Sequence, residues 1–153
     1  MLNRRRPRSA RVLLVDDAPV YADTLELLLA ADERIQIVGK AYDGEEGLER
    51  ALDLRPDVVV MDVHMPGLDG IEATRQIRAK LRAARVVVIT SSPTRECEAR
   101  ARAAGACAFL PKDAGFLEIA AAISGEPPRG PAAAEHAGAR SRVASFRGMR
   151  RRP

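Results

Sequence analysis

Val58-Val59-Val60-Met61-Asp62-Val63-His64-Met65-Pro66-Gly67-Leu68-Asp69-Gly70 is the stretch on which the fold turns. Four apolar residues, most of them β-branched, run straight into an aspartate, and a Pro-Gly turn follows before a helical pattern resumes. A short unbroken apolar run of this kind reads as a strand buried on both faces, as in a parallel sheet. The same grammar recurs on either side. Val12-Leu13-Leu14-Val15 ends in Asp16-Asp17, Val86-Val87-Val88-Ile89 ends in Thr90, and Ala108-Phe109-Leu110-Pro111 ends in Lys112. In an open α/β sheet the ligand crevice lies at the carboxyl ends of the strands. Three carboxylates, a hydroxyl and an ammonium are therefore expected on one edge, a set suited to a divalent cation and a phosphoryl group.

Between these runs the pattern predicts strands over residues 11–15, 35–41, 58–61, 85–89 and 107–110, alternating with five helices. Asp17-Ala18-Pro19 opens the first helix, with Leu25, Leu28 and Leu29 on its inner face. The second covers about residues 44–54, with Leu48, Ala51 and Leu52 inward, and Arg55-Pro56-Asp57 stops it. The third begins at Asp69 or Gly70 and carries Ile71, Ile77 and Leu81. For the fourth, Ser92 is expected as N-cap with Pro93 in the first helical position, and Glu96 and Glu98 suit the helix dipole. The fifth runs over about residues 114–123, with Phe116, Ile119, Ala120 and Ile123 on one face. Alternating strands and helices pack most naturally as a doubly wound parallel sheet.

The charge is unevenly placed. Residues 1–11 hold five arginines and no acid, and residues 125–153 hold seven arginines against two glutamates. Each end thus carries +5, so the net +4 of the chain leaves the middle at −6. An acidic centre fits cation binding. The ends, 1–10 and 125–153, lack apolar periodicity and read as disordered basic arms, which solubilise or attract an acidic partner, nucleic acid or membrane surface without specificity. No run is long and apolar enough to span a bilayer. The basic start is not followed by a hydrophobic signal core, so a cytoplasmic protein is expected. Cys97 and Cys107 form no metal or redox motif and are expected as small buried or half-buried residues.

Taken together, Leu14-Val15-Asp16-Asp17, the stretch from Met61 to Gly70, Ile89-Thr90-Ser91, and Gly105 to Ala114 resemble the receiver domain of bacterial response regulators. The resemblance covers residues 11–124. It implies a flavodoxin-like sheet of five parallel strands in the order 2-1-3-4-5 flanked by five helices. It also implies a phosphoacceptor of a two-component phosphorelay, with Asp62 taking a phosphoryl group from a sensor histidine kinase. Magnesium would be held by Asp17, Asp62 and the His64 backbone carbonyl, with Asp16 acting through a bound water. Lys112 would pair with Asp62 and then with phosphoryl oxygens. Thr90 would donate its hydroxyl, and Ser91 is small enough to leave room. Thr90 and Phe109 would form the switch, with Phe109 biased inward at rest. The output is a protein-interaction surface for a downstream protein of unknown identity, with a homodimer formed on phosphorylation.

The stretch Lys112-Asp113-Ala114 and the following helix are similar to the NarL/FixJ branch, whose members usually continue into a helix-turn-helix domain. Here residues 131–153 cannot supply one. The alternative reading is a truncated transcriptional regulator acting on DNA through its basic tail or a partner. Aspartate-based phosphohydrolases usually place a second aspartate two residues after the nucleophile. His64 stands there, so the expectation is no enzyme beyond phosphotransfer to its own Asp62 and slow self-dephosphorylation.

Overall fold

The computed structural model describes residues 8–126. The expected arms therefore lie outside the described residues, except for 8–10 and 125–126 at their inner ends. Strands β1 (Ala10–Val15), β2 (Ile35–Ala41), β3 (Val58–Asp62), β4 (Arg85–Thr90) and β5 (Ala108–Pro111) alternate with helices α1 (Pro19–Leu29), α2 (Gly44–Leu54), α3 (Gly70–Lys80), α4 (Arg95–Ala103) and α5 (Phe116–Ser124). The strands form one sheet in the order β2-β1-β3-β4-β5, and every pairing is parallel.

Alternation along each strand splits the core into two layers. Leu13, Val15, Val59, Met61, Val86 and Val88 pack against Ala51 of α2, Ile71 and Ile77 of α3, and Ala101 of α4. Val12, Leu14, Val58, Val60, Val87 and Ile89 pack against Leu25 and Leu29 of α1 and Ile119 and Ile123 of α5. Both faces being covered explains why the strands read as continuous apolar runs. Each such side chain, once buried, contributes about 1.5–3 kcal/mol.

Four details differ from the sequence expectations. Leu28 points outward, 45% exposed, because Ala22, Leu25 and Leu29 already complete the inner stripe of α1. In α2 the innermost positions are Gly44, Gly47 and Ala51, and Leu52 is only half-buried. The N-cap of α4 is Thr94, whose hydroxyl accepts from the Cys97 amide at 3.1 Å. Ser92 precedes a proline, which steers it away from helical dihedrals, and its amide donates instead to Thr90 Oγ1 at 3.1 Å. Cys107 is exposed, while Cys97 is half-buried.

Helix ends at the amino edge of the sheet are closed by arginines. Arg55 ends α2 in the left-handed region, φ 47°. Arg11 donates to the Leu54 and Arg55 carbonyls at 2.9 and 3.0 Å, satisfying two of the orphan acceptors of that helix.

Candidate functional site

The order β2-β1-β3 makes the chain reverse its winding between β1 and β3, and a crevice opens at the carboxyl ends there. Register aligns its walls. Val15 pairs with Met61, so Asp16 and Asp62 leave the sheet side by side. Asp62 pairs with Ile89 and Thr90 with Pro111, which brings Thr90 and Lys112 up on the other flank. The Lys112 amide donates to the Thr90 carbonyl at 2.8 Å, fixing the turn that carries the ammonium.

Lys112 Nζ lies 2.7 Å from Asp16 Oδ2 and 3.3 Å from Asp62 Oδ2. Carboxylate oxygens of Asp16, Asp17 and Asp62 all come within 4.8 Å of one another. Asp16 and Asp62 are buried, and Asp17 is exposed. Asp16 Oδ1 also accepts from the Ala18 amide at 2.8 Å, so the same carboxylate opens α1. Asp62 Oδ1 is buried without a hydrogen-bond partner. Thr90 is fully buried, and its Oγ1 accepts from Ser92 at 3.1 Å, which leaves its proton for donation.

The electrostatics follow from this crowding. Burial first, and then the negative charge of Asp16, push the Asp62 carboxyl up from 3.8 to about 6, against the opposing pull of Lys112. Burial alone lowers the Lys112 ammonium, but its hydrogen bond to Asp16 and the charges of Asp62 and Asp16 outweigh it and raise the group. The pocket thus holds more negative charge than one lysine offsets. A cluster of hard oxygen donors with one buried oxygen unpartnered fits magnesium better than any nitrogen- or sulfur-seeking metal.

Other expected residues lie around this centre. His64 is exposed and lines a cavity of about 340 Å³ with Val63, Met65, Asp69, Ile71 and Arg100. Phe109 is half-buried against the core layer of α2, α3 and α4. Ser91 is exposed.

Two residues of the site escape a reading of the strand ends alone. Tyr21, in the first turn of α1, places its ring 4.7 Å beneath the Lys112 ammonium and its hydroxyl 3.5 Å from the Lys112 carbonyl. Burial, opposed by Lys112, raises its phenol. Its signal was the spacing of one helical turn after Asp17. Gly70 donates its amide to the Val63 carbonyl at 2.9 Å. A Cβ there would sit 1.8 Å from the Asp62 carbonyl oxygen, so only glycine lets α3 start this close to β3.

The family model described as the response regulator receiver domain matches residues 12–124. The response regulator GacA of Pseudomonas viridiflava is 41% identical over 113 residues, which is 74% of this chain and 53% of that protein. A protein-glutamate methylesterase/protein-glutamine glutaminase of Symbiobacterium thermophilum is 46% identical over 118 residues, 75% of this chain and 32% of that protein. The chain therefore spans about half or less of the curated relatives it matches. Among solved structures, a two-component response regulator of the LuxR family from Aurantimonas sp. SI85-9A1 superposes with a TM-score of 0.72 at 33% identity, covering 83% of this chain and 94% of that one.

Proposed function

The chain belongs to the response regulator receiver domain family of two-component signalling, and from that premise we propose that Asp62 is its phosphoacceptor and that phosphorylation switches a protein-interaction surface. The observation that carries this reading is the Lys112 ammonium, 2.7 Å from Asp16 and 3.3 Å from Asp62, beside an Asp62 oxygen that is buried and unpartnered. Asp62 Oδ2 stays with Lys112, and Oδ1 attacks phosphorus. The bond from phosphorus to the donor breaks and the donor atom keeps the electron pair: a kinase histidine nitrogen takes a proton and leaves as neutral imidazole, and an acyl oxygen leaves as the carboxylate. Asp17, Asp62 and the His64 backbone carbonyl would hold magnesium, with Asp16 reaching it through water. Bound magnesium offsets the repulsion between the carboxylate and the incoming phosphoryl oxygens. Thr90 donates its hydroxyl to one phosphoryl oxygen, and Lys112 neutralises another.

The phosphoryl group adds close to two negative charges. Drawing Thr90 toward it vacates volume beside β5, into which Phe109 moves. The surface of α4, β5 and α5 changes with it, as a shift between two packings. The physiological donor is a sensor histidine kinase in the cytoplasm, the receiver of the signal is a downstream protein, and phosphorylation favours a homodimer. Chemistry is limited to phosphotransfer onto Asp62 and its slow hydrolysis. The domain comprises residues 11–124, with the basic arms outside it.

The test is incubation with acetyl phosphate and magnesium, followed by intact mass and hydroxylamine treatment. The native chain should gain one hydroxylamine-labile phosphoryl group, and Asp62→Asn should gain none. Labile phosphate on the Asn variant defeats the assignment.

A further inference from the structure

Ser92 and Thr94 compete to start α4. Thr94 holds the position: its backbone is extended, φ −109° and ψ 157°, and its hydroxyl accepts from the Cys97 amide at 3.1 Å. Ser92 is equally equipped. Pro93 follows it, which keeps Ser92 in the extended region that an N-cap requires and provides a first helical residue with no N–H to satisfy. Charge favours Thr94, because that cap leaves Glu96 in the first turn. Hydrogen bonding favours Ser92, because its hydroxyl and carbonyl would take the Arg95 and Glu96 amides. A contact from outside the helix tips this balance: Ser92 donates its amide to Thr90 Oγ1 at 3.1 Å. Residues 91–96 are all exposed, and Ala101 is the only buried residue of α4, so no packing opposes a change at the start of this helix.

We propose that phosphorylation passes the cap of α4 from Thr94 to Ser92 and so lengthens the helix by Pro93 and Thr94. The trigger rests on the reading of Asp62 as phosphoacceptor, but the competition between the two caps does not. Thr90 joins the two events, since its Oγ1 anchors the Ser92 amide while its proton serves a phosphoryl oxygen. Asp62 pairs with Ile89, the residue before Thr90. A phosphoryl group on Asp62 therefore draws the Thr90 hydroxyl toward β3 and away from the loop, and the Ser92 amide loses its acceptor. The proline ring already fixes a helical φ at Pro93, so only the ψ of Pro93 and the dihedrals of Thr94 have to turn. The Cys97 amide then passes from the Thr94 hydroxyl to the Pro93 carbonyl. The helix grows by about 3 Å, and the exposed side chains at its start are presented on a new turn. Each form has one hydroxyl cap, so the two lie close in free energy, and a small differential contact is enough to shift the population.

Backbone carbon chemical shifts of the full chain read directly whether residue 94 is extended or helical. In the free protein it should be extended. Magnesium with beryllofluoride, a stable stand-in for the phosphoryl group, should move it to helical values and slow hydrogen exchange at the Arg95 and Glu96 amides. Thr90→Val removes the acceptor at nearly constant volume, so it should bring about the same change with no phosphoryl analogue present. Thr90→Ser keeps the hydroxyl and should behave as the native chain. Ser92→Ala should lower the ratio of long to short helix about fivefold, and Thr94→Ala should raise it about fivefold, the factor carried by one capping hydroxyl. Both positions are exposed, so both variants should fold. An extended residue 94 in Thr90→Val overturns the proposal, as does a shift of the ratio in the same direction by the two cap variants. If Asp62 takes up phosphate and residue 94 stays extended, the proposal fails and the phosphoacceptor reading stands. If Asp62 takes up none, that reading falls, and Thr90→Val alone decides the exchange of caps.

Discussion

At the scale of single residues, Asp62 is a buried carboxylate crowded by a second one. Its carboxyl titrates near 6 rather than 3.8, chiefly through burial and the neighbouring Asp16. A raised carboxyl means that the folded state binds the proton more tightly than the unfolded state. Its contribution to stability is therefore full below pH 3.8 and is lost as pH rises through about 6. In magnesium-free buffer Asp62→Asn should accordingly stabilise the protein at pH 7, by roughly 1–3 kcal/mol, and have little effect near pH 4. Urea melts at the two values check this, and an equal effect at both refutes it. Tyr21 acts on the other member of the pair. Its ring lies 4.7 Å from the Lys112 ammonium. Loss of a cation–π contact of about 0.5–1 kcal/mol should slow acetyl phosphate-driven phosphorylation about 2–5-fold in Tyr21→Leu. Tyr21→Phe keeps the ring and should stay close to the native rate. If Phe and Leu slow the reaction equally, the hydroxyl at the Lys112 carbonyl matters and the ring does not.

At the scale of elements, the approach of α3 to β3 sets the backbone around Asp62. Gly70→Ala forces a methyl within 1.8 Å of the Asp62 carbonyl oxygen, where backbone must move because no side chain can yield. Such overpacking costs about 1–3 kcal/mol or more. The variant should melt earlier and also phosphorylate slowly, and a variant that loses stability alone would separate the packing role from the site. The same elements show what the sequence discloses. Strand interiors are legible, because burial on both faces leaves continuous apolar runs such as 58–61 with no alternation to interpret. The positions of β1, β3, β4 and β5, and the carboxyl-end placement of Asp16, Asp62, Thr90 and Lys112, follow from apolar runs, whereas β2 carries Gln36, Gly39 and Lys40 and is only partly buried. Helix starts are less legible. Ser92-Pro93 and Thr94 both offer capping chemistry, and what decides between them is the Thr90 hydroxyl, which takes the Ser92 amide. That contact joins a strand end to a loop and has no periodic signature. Leu28, expected inward, faces out for a similar reason, since a helix stripe of Leu25, Leu28 and Leu29 is as regular as one of Ala22, Leu25 and Leu29. Only the position of β1 and α5 chooses between them. The strand order 2-1-3-4-5 came from resemblance, because no local pattern encodes which strands are neighbours.

At the scale of the whole molecule, the acidic pocket and the fold share one energy balance. Buried Asp16 and Asp62, with Asp17 beside them, repel one another, and Lys112 compensates only part of that charge. A cation bound in the native state is absent from the unfolded chain, so its binding free energy adds to folding stability. At about a hundredfold excess over its Kd, magnesium should stabilise the native chain by about 2.7 kcal/mol, which is several degrees in melting temperature for a domain of this size. The sign with pH is opposite to that of the metal-free protein. Magnesium competes with the proton on Asp62, so its effect should be large at pH 7 and vanish as pH falls through about 6 toward 4. Thermal melts with and without magnesium at both values, on the native chain and on Asp17→Asn, make the measurement. The variant keeps Lys112 between Asp16 and Asp62 but loses the exposed carboxylate, and its magnesium shift should largely disappear. If magnesium raises the melting temperature equally in both proteins, or equally at pH 4 and 7, the ion acts on the molecular surface, and the three-carboxylate cluster is not where it binds.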